Sequence, residues 1–429
     1  MAAGKMGNHH ALHVMAPTIW QHFACNFSAK KIMKELYDVI IIGAGPGGCS
    51  AAISLARRGY EVLLVEKERF PRGKVCGDGI GPPALEALDR LGILPEVIQK
   101  GPWKIDGVRL SSPAGHLVTA SFSHLKGPHP YGLVMPRREF DFLIFQQVQK
   151  FPNVHALENW SVKDLIPRGG LTEGVRAESE GKKGEFFGRT LIGADGVYST
   201  VRRKVFPRKE RLIPGAFGLR AYFQGVKDLS HHIEIHCPRS ILPGYGWVFP
   251  TGEDSANVGV GISSAQLSQK DLRKLFQTFI EETPGVKERL RTARLVEHSL
   301  QGAPIPLAGF WGRRSRRNLL LVGDAGSFAD VLTGEGIYFA LRSGECAAEA
   351  IHTALSSSGK IEKAGRIYEK AWRRALGSRE FLIGPWVQKW VMREFFLNLN
   401  IGRAIKKPSM ACDLASILCH QKSKIGLFF

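Results

Sequence analysis

Tyr37 to Ile42 carries an almost unbroken run of β-branched and apolar side chains, the pattern of a strand covered on both faces. A glycine-rich step, Gly43-Ala-Gly-Pro-Gly-Gly48, follows. Cys49 to Arg58 then reads as a helix of small and apolar residues closed by Gly59, and Glu61 to Val65 repeats the buried-strand pattern before Glu66. Strand, glycine turn, helix and strand in this order predict a βαβ unit.

Further along, the period changes. Ile105 to Phe122 is short, alternating and broken by Ser-Pro and Ala-Gly, which predicts antiparallel strands with a turn near Pro113 to Gly115. Arg137 to Gln149 has helical spacing, and Thr190 to Ile192 and Asn318 to Val322 read as further buried strands. A second alternating block extends from about Ile213 to Ile262, Asp271 to Arg291 reads as helix, and a small-residue helix is predicted over Gly336 to Leu355. The fold class expected is α/β: a Rossmann-type lobe (about 35–104, 131–210 and 312–365) interleaved with an antiparallel-sheet substrate lobe (about 105–130 and 211–311), plus a helical C-terminal region, 366–429. Residues 1–34 contain no Asp or Glu and no continuous apolar segment, so they read as an unstructured extension before a start at Met33 rather than as a secretory signal.

Charge and cysteine usage narrow the class. A net charge of +20 attracts anions such as nucleotide phosphates, diphosphates or acidic lipid headgroups. No nucleic-acid-binding module or zinc-type Cys/His spacing accompanies it, so neither nucleic acid nor a metal is expected. Seven scattered cysteines make no disulfide framework and point to a reducing compartment, here the cytoplasm. No run reaches the roughly 18 to 20 apolar residues of a spanning helix. From Arg366 onward, however, 12 Lys/Arg against 4 Asp/Glu are mixed with Trp372, Trp386, Trp390, Phe395 and Phe396, a candidate pair of membrane-surface helices. Oligomeric state is not legible.

The fingerprint Gly43-x-Gly45-x-x-Gly48 combines a tight turn, close backbone approach to a pyrophosphate and close helix–strand packing, and Glu66, 18 residues after Gly48, can accept hydrogen bonds from a ribose. The motif alone does not separate FAD from NAD. Two later segments do: Gly193-Ala-Asp195-Gly196 and Gly323-Asp324-Ala-Gly326 resemble the downstream FAD motifs of the flavin hydroxylase superfamily, and Arg137-x-x-Phe140-Asp141 resembles that family's arginine beside FAD.

The likeness narrows further. Pro71-Arg-Gly-Lys74-Val-Cys76-Gly77-Asp78-Gly79 and Gly244-Tyr245-Gly-Trp247-Val-Phe249-Pro250 look like the paired motifs of the geranylgeranyl reductase family, over roughly residues 36 to 355. The resemblance implies that Lys74, Cys76 and Gly77 lie close to the flavin ring, and that Tyr245, Trp247 and Phe249 wall a greasy channel. It also implies that Gly334 and Gly336, in Val331-Leu-Thr-Gly-Glu-Gly336, bring backbone N–H groups to the flavin. It implies FAD as cofactor, NADPH or a small redox protein as electron donor, and a polyprenyl lipid or prenyl diphosphate whose C=C bonds are saturated by hydride from reduced flavin. The aromatic trio would stabilise developing positive charge, with Cys76 as a possible participant in proton transfer. Two other readings stay open. One is an oxygen-using monooxygenase or halogenase, with Lys100 or Lys104 as the halogenase lysine and Tyr245 and Phe249 departing from that family's Trp and Ile. The other is a lipid-binding flavoprotein without catalysis.

Overall fold

The computed structural model describes residues 34–207, 215–267, 269–308, 312–357 and 360–428. The expected unstructured extension and the start at Met33 lie outside the described residues. Met1–Glu35 and Leu36–Phe429 are separate units, and every described strand and helix belongs to the second.

The predicted βαβ unit is present as strand β1 (Tyr37–Ile42), helix α1 (Pro46–Ala56) and strand β2 (Val62–Val65), with β1 and β2 parallel and in the register Val39 to Val62. Every residue of α1 is buried, so small side chains are a requirement of its place between the sheet and the long Ile337–Ser357 helix. The first sheet runs Ser315–Arg316, Leu319–Leu321, Lys182–Gly193, β1, β2, Val154–Leu157, and the strands flanking β1 and β2 are parallel to them.

Two strands of this sheet have no counterpart in the sequence reading. Ser161–Arg168 and Leu171–Ser179 form an antiparallel hairpin that continues into Lys182–Gly193. Only one face is apolar, through Val162, Leu165, Val175, Ala177 and Phe186, and charged residues along the strands hide the period. The legible signals were the turns: Gly169-Gly170 and Glu180-Gly181 all have positive φ, as tight hairpin turns require.

The second sheet contains Ala216–Gln224, Ser255–Ser263, Tyr245–Pro250, His232–His236, Gly107–Ser111 and Leu117–Ser121 in that spatial order, with short strands at its edge. It is antiparallel except where His232–His236 lies parallel to Gly107–Ser111, a pairing between the two predicted antiparallel blocks. A parallel pair needs a long connection, which the intervening helix and first-sheet strands provide. The helix expected over Asp271 to Arg291 is split into Leu272–Glu282 and Val286–Leu290, because Pro284 cannot continue the hydrogen-bond ladder and Gly285 takes φ +78°.

The C-terminal region differs from a pair of surface helices. Ala364–Leu376, Ser378–Val391, Glu394–Lys406 and Pro408–Leu418 are four helices that bury Trp372, Leu397, Ile401, Ala415 and Ile417 against the body. Among the described residues no helix is long and apolar enough to cross a membrane.

Candidate functional site

Where β1 ends, the chain turns so tightly that Gly48 packs on the turn itself: a Cβ there would sit 1.9 Å from the Gly43 carbonyl oxygen. Glu66, at the end of β2, is buried, with one carboxylate oxygen accepting the Ala44 N–H at 2.8 Å and the other the Glu68 N–H at 3.1 Å. A fixed carboxylate beside an N-terminal helix turn suits a ribose and pyrophosphate. Arg72, not singled out from the sequence, reaches both Glu66 (3.5 Å) and Asp141 (2.9 Å). Asp141 also receives two hydrogen bonds from Arg137, at 2.6 and 2.7 Å. Burial opposes charge on Asp141, yet Arg137 and Arg72 outweigh it and hold its carboxyl below the usual range.

Asp195 accepts from Ser199 Oγ (2.5 Å) and from the backbone N–H groups of Thr200 and Val201, so it caps the Thr200–Val205 helix while lining the cleft. Asp324 is paired with Lys74 at 2.5 Å, which ties the segment after β2 to the last glycine-aspartate turn. Arg202 links the two downstream motifs by donating to the Ala325 carbonyl at 3.0 Å.

Tyr245, Trp247 and Phe249 alternate along one strand and share one face, while Gly246 between them packs under Phe279. They are held by a polar network that sequence reasoning missed. Trp247 donates from Nε1 to Asn257 Oδ1 (3.0 Å), and Asn257 Nδ2 donates to the Cys76 carbonyl (2.8 Å) and to Asp78 (2.7 Å). Tyr222 adds a hydrogen bond to Asp78 at 2.5 Å. Asn257 and Asp78 are fully buried, and burial raises the Asp78 carboxyl despite these donors. The network fixes the Cys76–Gly77 turn against the aromatic wall so closely that a Cβ on Gly77 would lie 2.9 Å from the Phe249 ring. Asn257 pairs with Phe249 on the neighbouring strand, and a polar residue within the apolar Ser255–Ser263 strand was the available signal.

The remaining wall is the turn after Asp330. Tyr245 donates to the Thr333 carbonyl at 2.5 Å, Gln388 to the Val331 carbonyl at 2.8 Å, and Asp330 accepts from Leu332 N–H, Thr333 N–H and Thr333 Oγ1. Two residues near the chain end complete it: Lys424 meets Asp330 at 2.5 Å and His420 meets Glu335 at 2.7 Å.

One cavity of about 710 Å³ joins these parts, within the ordinary range for ligand pockets. Gly43, Gly45, Glu66, Arg137, Asp195 and Asp324 line it, as do Lys74, Cys76, Gly77, Tyr245, Trp247, Phe249, Gly334 and Gly336, while Gly48 of the fingerprint does not. Beyond the aromatic wall it becomes apolar, with Val108, Phe122, Ile233, Ile235 and Leu418. A second cavity of about 160 Å³, lined by Leu110, Leu397, Ile401, Met410 and Leu414, shares Tyr245, Leu332 and Met392 with the first. Lys100 and Lys104 line neither.

Residues 36–360 match the FAD binding domain family. The chain is 31% identical to digeranylgeranylglycerophospholipid reductase of Methanothrix thermoacetophila, over 85% of this chain and 88% of that protein. It is also 31% identical to menaquinone reductase of Mycobacterium tuberculosis, over 79% and 83%. A geranylgeranyl bacteriochlorophyll reductase-like structure from Thermoplasma acidophilum superposes with a TM-score of 0.73 at 23% identity, covering 91% of this chain and 93% of the other, and shares the fold.

Proposed function

Because the chain belongs to the geranylgeranyl reductase family of FAD-dependent oxidoreductases, we propose that it saturates C=C bonds of a polyprenyl lipid. The observation that carries this reading is the single cavity running from the glycine turn and Glu66 to an apolar compartment behind Tyr245, Trp247 and Phe249. An isoprenoid chain has no polar atoms to satisfy, so an apolar tunnel takes it by the hydrophobic effect alone.

The residues present fit FAD. Gly48 leaves no room for a side chain at the turn, whereas a Cβ on Gly45 would meet only Arg72 at 3.8 Å, so space remains over that turn for a pyrophosphate. Glu66 would hold the ribose, Arg72 and Arg137 would offset phosphate charge, and the Gly334–Gly336 turn would face the flavin ring. Bound FAD, once reduced, supplies a hydride. Cys76, Gly77 and the aromatic strand shape the wall against which the alkene rests, and the π faces of Tyr245, Trp247 and Phe249 lower the energy of positive charge developing on a tertiary carbon. The apolar lining excludes water. For the electron donor we propose NADPH rather than a small redox protein, because its phosphates suit a chain of net charge +20.

The test is anaerobic incubation of the reduced protein with geranylgeranyl diphosphate, a digeranylgeranyl glycerophospholipid and menaquinone, followed by mass spectrometry. A gain of hydrogen pairs without O₂ is expected, with NADPH able to replace dithionite. An absolute requirement for O₂ would overturn the reading.

The C-terminal helices also support contact with a bilayer surface. Leu382 and Trp386 stand one turn apart on one helix, and Phe395 and Leu399 on the next; Trp386 is 55% and Phe395 69% exposed, with Lys389 and Arg393 nearby in sequence. Because Gln388 and Met392 line the cavity, the contact is tested by substitution rather than deletion. The Trp386→Ser/Phe395→Ser protein is expected to lose at least about tenfold in affinity for phosphatidylglycerol vesicles, since each ring buries ~1.5–3 kcal/mol of apolar surface. Unchanged co-sedimentation would remove the role.

A further inference from the structure

Of the three rings in the aromatic wall, Trp247 is the one laid flat. It lines the cavity, and the sheet beneath it offers only glycine. A Cβ on Gly259, its partner on the neighbouring strand, would fall 2.2 Å from Trp247 Cζ2 and 2.6 Å from Cε2, and one on Gly218, a strand further, 3.7 Å from Cη2. One side of the indole therefore lies on bare backbone, which leaves the other to the cavity. Tyr245 and Phe249 flank it, with ring centroids 6.2 and 6.3 Å away. A π face turned to an apolar cavity attracts positive charge, and the attraction grows as water is removed.

Behind the ring the hydrogen bonds can run only one way. Trp247 Nε1 has only a proton to give and the Cys76 carbonyl only lone pairs, so Asn257 must turn Oδ1 to the indole (3.0 Å) and Nδ2 to the carbonyl (2.8 Å). The second amide proton goes to Asp78 Oδ2 (2.7 Å), which also accepts from Tyr222 (2.5 Å), while Asp78 Oδ1 accepts the Arg137 backbone N–H (3.2 Å). Each carboxylate oxygen thus faces a group that can only donate, an arrangement that favours the ionised form. Asp78 is 0% exposed and stands in left-handed backbone, φ +68°, which the surrounding bonds must hold in place. The cations around it are engaged elsewhere: the Arg137 guanidinium with Asp141, Lys74 with Asp324, and Arg220 with the Ser299 carbonyl (2.6 Å) and the face of Tyr222 (4.5 Å). Burial opposes the Asp78 charge, so positive charge arriving in the cavity relieves it.

We propose that Asp78 is the counter-charge for the carbocation-like carbon of the substrate, acting through Asn257 and Trp247 as a positioning residue, an assignment that rests on the reductase reading above. The carboxylate polarises the Asn257 amide, and the amide oxygen draws on the indole N–H. Hydrogen bonds aligned in this way strengthen one another in a medium of low dielectric. Electron density on the indole rises, so its cavity side becomes more negative where the tertiary carbon gains charge. Carboxylate, amide and ring are fixed before the substrate arrives, and no reorganisation accompanies the step. The same polarity gives no help to a substrate carbon that becomes negative.

The experiment uses intact FAD-loaded protein, wild type, Asp78→Asn, Trp247→Phe and Tyr222→Phe. Each is titrated calorimetrically with geranylgeranyl diphosphate and with analogues in which a protonated tertiary nitrogen replaces the branching carbon of one isoprene unit. The affinity of the tightest analogue relative to geranylgeranyl diphosphate reports cation stabilisation, because the cost of desolvating each ligand is common to all four proteins. Asp78→Asn keeps the shape without the charge and should lower this ratio at least about tenfold. Trp247→Phe, which has no N–H to relay the charge, should lower it too, whereas Tyr222→Phe leaves the carboxylate one donor fewer and should not. A residue that only held the turn would weaken both ligands alike and leave the ratio unmoved. Reoxidation of dithionite-reduced Asp78→Asn by geranylgeranyl diphosphate should slow by a similar factor. An unchanged ratio in Asp78→Asn, or in Trp247→Phe should the first variant not fold, would overturn the assignment and leave the reductase reading standing. If reduced wild-type protein is reoxidised by neither geranylgeranyl diphosphate nor a digeranylgeranyl glycerophospholipid, the reductase reading itself fails and the assignment falls with it.

Discussion

Replacing Gly48 with valine is expected to yield protein without bound FAD and with a lowered melting temperature, whereas Gly45→Val should fold normally and still lose the cofactor. The contrast arises from the atoms each side chain would meet. At Gly48 the first added carbon falls 1.9 Å from the Gly43 carbonyl oxygen and 3.1 Å from its carbon, both backbone atoms, so the turn joining β1 to α1 must open. Overpacking of this kind costs typically ~1–3 kcal/mol and more where backbone has to shift. At Gly45 the same carbon meets only a flexible Arg72 terminus at 3.8 Å, so the protein tolerates it, and the valine instead fills the space where backbone and pyrophosphate would approach. Flavin absorbance per protein after gel filtration, together with thermal unfolding of both variants, checks the pair. If Gly45→Val retained stoichiometric FAD, the glycine turn would not be where the cofactor's phosphates lie.

Lys424→Met is expected to destabilise the protein by about 3–5 kcal/mol and to weaken FAD retention, although Lys424 belongs to the last short turn of the described chain. Its side chain is 4% exposed and that of Asp330 3%, with 2.5 Å between them. Removing the lysine leaves a buried carboxylate whose remaining partners are Leu332 and Thr333, in the turn that closes the cavity. Burial opposes charge on Asp330, but Lys424 and His420 hold its carboxyl below the usual range in the folded protein. A depressed folded pKa contributes stability that is present above the unfolded value and is lost as pH falls through the folded one. Wild type should therefore lose this contribution on acidification, while Lys424→Met should have little of it to lose, and the two melting temperatures should converge at low pH. The double variant Asp330→Asn/Lys424→Met should cost less than Lys424→Met alone, because no unpaired charge remains. Equal melting temperatures for Lys424→Met and wild type at neutral pH would show that the ion pair does not fasten the turn.

The parts of the site legible in the sequence are those specified locally. The turn from Gly43 to Gly48, the acid at the end of β2 and the alternation of Tyr245, Trp247 and Phe249 each depend on spacing within a few residues. Cys76 and Lys74 were legible only through family resemblance, since nothing in their immediate neighbours states what faces them. Asn257, Tyr222, Asp78 and Arg72 gave no local signal strong enough to separate them from ordinary turn or strand residues. Their meaning comes from hydrogen bonds across 179 positions, from Asn257 to Asp78, and 144 positions, from Tyr222 to Asp78. The C-terminal region was read as two helices where there are four for a related reason: its aromatic and basic composition is that of an interfacial helix, but composition does not reveal that four helices bury part of their apolar face on the body.

The sequence by itself determined the βαβ unit, the dinucleotide fingerprint and the aromatic strand, because each arises from backbone geometry and side-chain period over short range. Only the tertiary structure decided that the C-terminal helices wall the cavity and that His420 and Lys424 fasten the Asp330–Glu335 turn. Those facts depend on which distant segments come into contact and on the water they exclude, and burial is a property of the packed chain rather than of any stretch of it.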